Sequence, residues 1–263
     1  MNQVVETSDR AAIERFLRRD PFLHLYELGD LDPFFWPHTR WFGWMDEANE
    51  LQALALLYTG TDLPVLLGLG RDDEGMLGDL IEAATSHLPA EFYAHLSPGL
   101  AQRLAHRFTA TGHGLHLKMA LQRKELLSDI DMHGVTRLTP SELCEILALY
   151  EHSYPNNWFD PRMLETGEYF GLKHHNELVC VAGVHVYSRA FRVAALGNVA
   201  THPAHRGQGL ARRAVAALCA SLLEHVDFVG LNVHADNRAA IACYERLGFV
   251  EVAQYEEFML RER

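Results

Sequence analysis

The chain has 263 residues, of which 48% are hydrophobic and 22% are charged, as in an ordinary globular protein. The formal net charge of −12 argues against nucleic acid as a partner, and no apolar run is long enough to cross a bilayer. The N-terminus lacks the basic start and apolar run of a secretory signal, so we expect a cytoplasmic protein without membrane attachment.

The N-terminal half alternates helical and strand patterns. Periodicity predicts helices over AAIERFLRR, EGMLGDLIEAATSHL and LAQRLAHRF, and strands over TRWFGWMD, LQALALLYT, LPVLLGLG, EFYAHL and LHLKMAL. Trp36, Trp41 and Trp44 are expected in the core or in an inter-domain contact, with a role in the acceptor pocket as the alternative. The loop RDDEGML starts a helix with carboxylates, which would repel a phosphate; these are Asp72, Asp73 and Glu74.

In the C-terminal half, the sequence patterns predict the element order βααββ-β-α-β-α-ββ. Strands are expected over HGVTRLT, VAALGNVAT, DFVGLNVHA, FVEVAQ and YEEFMLR, and a hairpin over EYFGLKHHNELVCVAGVHVYS. Helices are expected over SELCEILALYEHSY, RMLET, LARRAVAALCASLLEHV and RAAIACYERLG. This order predicts an α/β fold with a mixed sheet and helices on its faces. Because both halves share this order, we predict an internal duplication, with domains at 1–130 and 131–263.

The segment HPAHRGQGLARR, residues 202–213, joins a predicted strand to a predicted helix. A helix N-terminus presents unpaired N–H groups and a partial positive charge. Gly207 and Gly209 let the main chain approach a ligand closely, and Arg206 adds a full charge. These features predict an anion site for a phosphate or pyrophosphate. The glycine spacing fits neither a P-loop nor a Rossmann motif.

This segment resembles the acetyl-CoA loop of the GNAT superfamily of N-acetyltransferases. Thr201-His202-Pro203 stands for the family's V-x-P, and RGQGLA matches the rest of the first motif. The second motif appears as NVHADNRAAIACYERLGF, with Asn237, Tyr244 and a terminal Gly-Phe. The resemblance covers about residues 133–263. In the N-terminal half it rests on element order alone, which would mean a degenerate tandem copy that has lost the cofactor loop.

The resemblance implies the following roles. Main-chain groups of Val199, Ala200 and Thr201 would pair with the pantetheine arm, which Asn237 would also contact. Tyr244 would face the thioester sulfur and donate a proton to it, unless it is only a core aromatic. The pyrophosphate would be held by the N–H groups of Arg206, Gly207, Gln208, Gly209, Leu210 and Ala211.

The general base is not fixed by the motifs. The strand FRVAALGNVAT has no carboxylate, and the position that carries one on the next strand in other family members is Asn232. His234 lies two residues on, and therefore on the same strand face, with a reference pKa suited to a base. His185 and Glu168 are alternatives, as is a water relay.

The acceptor would lie under the segment between the first two helices of this half. Tyr154, Asn157 and Trp158, with Asn156 and Phe159, suit a small polar substrate, although the segment could equally be a packed loop. We also place His185 among the substrate contacts.

The predicted function is transfer of an acetyl group from acetyl-CoA to a primary amine of a small molecule or peptide, directly in a ternary complex. One alternative is a non-catalytic acyl-CoA-binding regulatory or scaffolding protein, and another is a plain interaction protein. The four cysteines are expected to be free thiols, and the histidine spacing does not favour a metal. The oligomeric state stays open, with a homodimer among the alternatives.

Overall fold

The structure, a computed structural model, describes residues 3–71, 74–155 and 157–263. It divides into two compact units: unit 1 contains the chain up to Lys118 with His234–Asp236 and Glu251–Arg263, and unit 2 contains Met119–Val233 and Asn237–Val250. These units differ from the predicted domains, 1–130 and 131–263. The first crossing between the units follows Lys118, and the final strand passes from unit 2 to unit 1 after Val250.

Unit 1 has a sheet in the order β1-β2-β3-β4-β5-β12. The pair β4 and β5 is parallel, with α3 between them in sequence, and the other pairs are antiparallel. Its strands are β1 (Gln3–Thr7), β2 (Thr39–Met45), β3 (Leu51–Tyr58), β4 (Val65–Gly68), β5 (Glu91–Leu96) and parts of β6 (Phe108–Leu121) and β12 (Phe249–Glu262). Its helices are α1 (Arg10–Leu17), α2 (Leu25–Gly29) and α3 (Glu74–Ala84).

The core of unit 1 lies between this sheet and α3. Leu77, Leu80, Ile81 and Ala84 recur at helical spacing and are all buried, and burying each leucine contributes about 1.5–3 kcal/mol. Trp41 is 2% exposed, as expected for a core residue. The predicted loop carboxylates Asp72 and Asp73 lie outside the described residues, and the side chain of Glu74 is not described.

Unit 2 has a sheet in the order β11-β10-β9-β8-β7. Of the four pairs in this order, β10–β11 is parallel, with α5 between the two strands in sequence, and the other three are antiparallel. Its strands are β7 (Val135–Arg137), β8 (Phe170–His174), β9 (Glu177–Ser188), β10 (Val193–Thr201) and most of β11 (Phe228–His234). Its helices are α4 (Leu143–Ser153), α5 (Leu210–Leu223) and α6 (Arg238–Arg246).

The mixed α/β architecture and the shared strand–helix–strand order of the two halves are confirmed. The β8–β9 hairpin is also confirmed, with His175 and Asn176 at φ 49° and 68° in its two-residue turn.

Other elements differ from the prediction. FVEVAQ and YEEFMLR form one strand, β12, and the sequence patterns did not predict β1 or α2. RMLET and LAQRLAHRF contain short 3₁₀ helices. The first is confined between Pro161 and Gly167 (φ 71°), a stretch too short for a stable α-helix. Among the described residues, no helix is long and apolar enough to span a membrane.

Candidate functional site

Strands β10 and β11 separate before β10 ends. Their described pairs run from Val193 and Phe228 to Leu196 and Leu231. Residues 197–201 of β10 continue along β9 with register shifts on either side of Leu196–Gly197, and Asn198 has a left-handed φ of 56°. A bulge bends the strand that carries it and increases its twist. Main-chain groups of Val199, Ala200 and Thr201 therefore follow the point of separation, as the resemblance implies.

A glycine loop follows at the end of β10. Gly207 and Gly209 both have φ 76°, and Gly209 is the N-cap of α5. A Cβ at Gly207 would meet no atom within 4 Å, so the loop surface there is open. Within the residues that the structure describes, no hydrogen bond from the backbone N–H groups of residues 207–212 is found. This row of donors at a helix start is suited to an anion.

The two arginines at the loop differ in their roles. The Arg206 guanidinium donates from Nε to Thr201 O (3.2 Å) and from Nη2 to Ser153 O (3.3 Å). Its side chain therefore ties the loop to β10 and α4, and the guanidinium keeps the positive charge that the sequence predicts at this loop. Arg212 was not predicted: its Nε is buried without a partner in the described chain, and its Nη2 lies 3.9 Å from the Cβ position of Gly209. The sequence could have indicated Arg212 as an anion contact, because it lies in the first turn of the predicted helix α5.

Helix α6 positions the two residues of the second motif. The Asn237 Oδ1 accepts from Ala240 N (3.2 Å) and caps the helix, which leaves its amide N–H groups for a ligand. Tyr244 is buried, with its ring 5.7 Å from Phe249. Burial raises the pKa of Tyr244, and the neighbouring Cys243 and Tyr154 raise it further. Its hydroxyl therefore stays protonated throughout the neutral pH range.

The predicted acceptor segment after α4 is a loop that is held in part by hydrogen bonds between its own residues. Asn157 donates from Nδ2 to Tyr154 O (2.7 Å), and its Oδ1 accepts from Phe159 N (2.9 Å). Its amide is therefore engaged locally. Tyr154 and Trp158 are 46% and 50% exposed and present aromatic surface. Asn156 lies outside the described residues.

A buried polar network around Asn198 was not predicted. Tyr150 Oη donates to Asn198 O at 2.8 Å, and Tyr169 Oη donates to Val184 O at 3.1 Å. Because the Tyr169 hydrogen is used there, its oxygen accepts from Asn198 Nδ2 (3.1 Å). Asn198 Oδ1 then accepts from His185 Nε2 at 3.0 Å. An asparagine inside an otherwise apolar strand was the signal in the sequence.

This network fixes the tautomer of His185. With the proton on Nε2, the neutral ring keeps its lone pair on Nδ1. Burial lowers the pKa of His185, although the hydrogen bond to Asn198 opposes that shift. A side chain at Gly197 would overlap the His185 ring, with a Cβ only 1.6 Å from its Cδ2. The strand therefore needs glycine where the ring covers it.

The structure also describes the contacts of the other candidate bases. His234 belongs to unit 1, and its Nδ1 accepts from Asp236 N (3.1 Å), which leaves the proton on Nε2 in the neutral ring. Glu168 is 2% exposed, with Oε1 3.6 Å from Arg137 Nη1. Asn232 follows the last β10–β11 pair, and its Oδ1 is buried without a partner in the described chain.

The four cysteines are free thiols. Among the described residues, no three His, Cys, Asp or Glu side chains form a group that could hold a metal ion.

A mixed sheet that opens beside a glycine loop at a helix start defines the GNAT fold. Residues 136–249 match the model of the acetyltransferase (GNAT) family, which confirms the resemblance seen in the two motifs.

Solved structures resemble the whole chain. A GCN5-related N-acetyltransferase from Sphaerobacter thermophilus has TM-score 0.59 and 14% identity, with 99% of this chain and 95% of that chain covered. A tandem GNAT protein from the clavulanic acid biosynthesis pathway has TM-score 0.55 and 19% identity, with 100% and 98% covered. A Drosophila protein has TM-score 0.72 and 11% identity, with 99% of both covered. A search of curated protein sequences finds no match. The similarity to a tandem protein agrees with two copies of the fold in one chain.

Proposed function

We propose that this protein is an N-acyltransferase that transfers an acetyl group from acetyl-CoA to a primary amine of a small molecule or peptide, directly in a ternary complex. The observation that supports it most is the separation of β10 from β11 immediately before a glycine loop with unbonded N–H groups. A cytoplasmic location is part of this proposal.

The residues of unit 2 fit acetyl-CoA. The N–H groups of residues 207–211, at the positive end of the α5 dipole, would hold the pyrophosphate, and Arg212 would supply a cation beside them. Main-chain groups of Val199–Thr201 and the Asn237 amide would contact the pantetheine arm. When bound, acetyl-CoA supplies an activated acyl group as a thioester.

Two side chains would move protons. Tyr244, whose raised pKa keeps its hydroxyl protonated, would donate to the departing sulfur. His185, neutral at pH 7 with its Nδ1 lone pair available, would take the proton from the acceptor ammonium. Each such transfer is worth roughly 10²–10⁴-fold in rate.

The cofactor test is calorimetric titration of CoA into the full chain. Arg212→Met should weaken CoA binding by about tenfold or more, since a charge-assisted hydrogen bond contributes about 1.5–3 kcal/mol. Arg246→Met, which removes an exposed arginine of α6, should leave CoA binding unchanged. Equal affinity in both variants would refute the assigned pyrophosphate site.

The activity test is CoA release with a panel of primary amines. A specific observation favours the alternative of a non-catalytic acyl-CoA-binding protein, namely that residues 191–201 contain no carboxylate. That alternative predicts CoA binding without amine-dependent CoA release. A plain interaction protein predicts no CoA binding at all.

A further inference from the structure

Glu257, in unit 1, lies within a row of aromatic rings that acyl transfer in unit 2 does not use. Tyr93 Oη and Tyr255 Oη donate to its carboxylate at 2.5 and 2.8 Å. Six rings follow one another with centroid separations between 4.9 and 5.7 Å. This ring row is His113, Tyr93, His95, Tyr255, His116 and His234.

The ring row can be reached from solvent. Tyr255 is buried, but the Glu257 side chain is 16% exposed and that of His95 is 20% exposed. His113 and His234, at the two ends of the row, are more exposed. The carboxylate is therefore shielded without being sealed.

At the carboxylate, an acceptor nitrogen of His116 faces an acceptor oxygen of Glu257. His116 Nδ1 lies 3.3 Å from Gly114 O, and because a carbonyl oxygen only accepts, Nδ1 carries the proton. In the neutral ring, Nε2 is then an acceptor, and it lies 3.5 Å from Glu257 Oε1. His95 Nε2 is also 3.5 Å from this oxygen. A lone pair opposite a carboxylate oxygen is unfavourable unless a donor lies between them.

The charge states agree with this geometry. Burial lowers the pKa of His95 to about 4 and also lowers that of His116, so both rings are neutral at pH 7. Burial opposes ionisation of Glu257, but the charge of His95 in its protonated form and the hydrogen bonds that Tyr93 and Tyr255 donate lower the pKa of Glu257 on balance, so the carboxylate is ionised at pH 7.

The nearby buried ammonium of Lys118 is attracted by carboxylates other than Glu257. Lys118 Nζ lies 5.5 Å from the centroid of the Tyr255 ring. Its ammonium is attracted by Glu27 and Asp20, which oppose the lowering of its pKa by burial. Among the described residues, the Glu257 carboxylate therefore has two neutral hydroxyl donors and no paired Lys or Arg cation.

We propose that unit 1 binds a primary ammonium group at Glu257. Its N–H groups would donate to Glu257 Oε1 and to His116 Nε2, and its charge would lie against the faces of the ring row, where cations are attracted by aromatic quadrupoles. The net charge of −12 favours the approach of such a cation. This binding does not depend on the proposed acyl transfer and can be measured without acetyl-CoA.

The test titrates the full chain with n-propylammonium and with tetramethylammonium at constant ionic strength, by calorimetry and by NMR of ¹⁵N-labelled histidine side chains. The primary ammonium should bind and shift the His95 and His116 resonances. Tetramethylammonium has no N–H to donate, so it should bind about tenfold more weakly or worse. Absence of propylammonium binding, or equal affinity for both cations, would overturn the proposal.

Two variants distinguish binding at Glu257 from a general effect of the protein's negative charge. Glu257→Gln keeps the shape but removes the charge, and should weaken propylammonium binding by about tenfold or more. Glu251→Gln makes the same change in charge at an exposed position of β12 and should leave binding unchanged.

A second variant tests the proposed ammonium site if Glu257→Gln does not fold. His116→Phe keeps a ring but removes the Nε2 acceptor, so it should weaken propylammonium binding while leaving tetramethylammonium binding unchanged. Unaltered propylammonium affinity in a folded His116→Phe or Glu257→Gln protein would contradict the assignment.

Discussion

Asn198 links the backbone of β10 to the chemistry proposed for His185. Its left-handed φ lies within the register shift, and its buried side chain bridges Tyr169 and His185. Asparagine tolerates this backbone conformation better than most residues. The same residue therefore supports the bulge and sets which nitrogen of His185 can accept a proton.

We predict that His185→Ala lowers kcat by about 100-fold, because the proton acceptor is lost. In the native protein the lowered pKa of His185 keeps the ring neutral at pH 7. The value of kcat/KM should therefore fall only as pH drops below the ordinary histidine range. A pH–rate profile checks this, and His185→Ala should lack the acidic limb. His152→Ala, which removes an exposed histidine of α4, should leave the profile unchanged.

Tyr244→Phe should lower kcat at neutral pH by about 100-fold with little change in KM, since the hydroxyl is needed only when the sulfur departs. Because the pKa of Tyr244 is raised, the native profile should show no loss from this group up to about pH 10. Steady-state CoA release measures both parameters. The control is Tyr187→Phe, on β9, which should leave kcat and KM unchanged. A Tyr244→Phe enzyme with native kcat would exclude Tyr244 as the proton donor.

Elements defined by local patterns were predictable. Helix α5 and its glycine loop are visible because periodicity, two glycines and a helix start are all encoded within one short segment, and the donors belong to the backbone. The Asn198 network was not predictable, because its side chains come from α4, from the residue before β8, from β9 and from β10, and meet only after the sheet forms. The tautomer of His234 likewise depends on the amide of Asp236 in the folded chain.

The turn that follows α6 gives a prediction for stability. Gly248 has φ 96°, and a Cβ there would lie 2.2 Å from Arg123 O. Gly248→Ala must strain the backbone and displace a carbonyl that cannot easily move, so we expect a loss of about 2–4 kcal/mol. Gly207→Ala has a similar φ but open space around its Cβ, and should cost about 1 kcal/mol. Urea unfolding measures both, and equal losses would contradict the steric argument.

At the scale of the whole chain, the path of β12 matters most. The sequence suggested that each half closes its own domain, but the strand that ends the chain completes unit 1. It pairs with β5 from Glu256 opposite Leu96 to Arg261 opposite Glu91. A boundary drawn from local patterns could not show this, because the partner of a strand is a non-local property.

A fragment of residues 1–130 should therefore fail to fold cooperatively on its own. It would leave β5 without its β12 partner and would lack Leu260 and Tyr255, which are 0% and 1% exposed in the full chain. Burying a leucine alone contributes about 1.5–3 kcal/mol, and an unpaired strand edge promotes aggregation. A synthetic peptide of residues 249–263 added in trans should restore a dispersed NMR spectrum and a sigmoidal urea transition. The same peptide with Leu260→Asp should not, since it would bury a charge in the core. If the fragment unfolds cooperatively without any peptide, β12 is dispensable for unit 1.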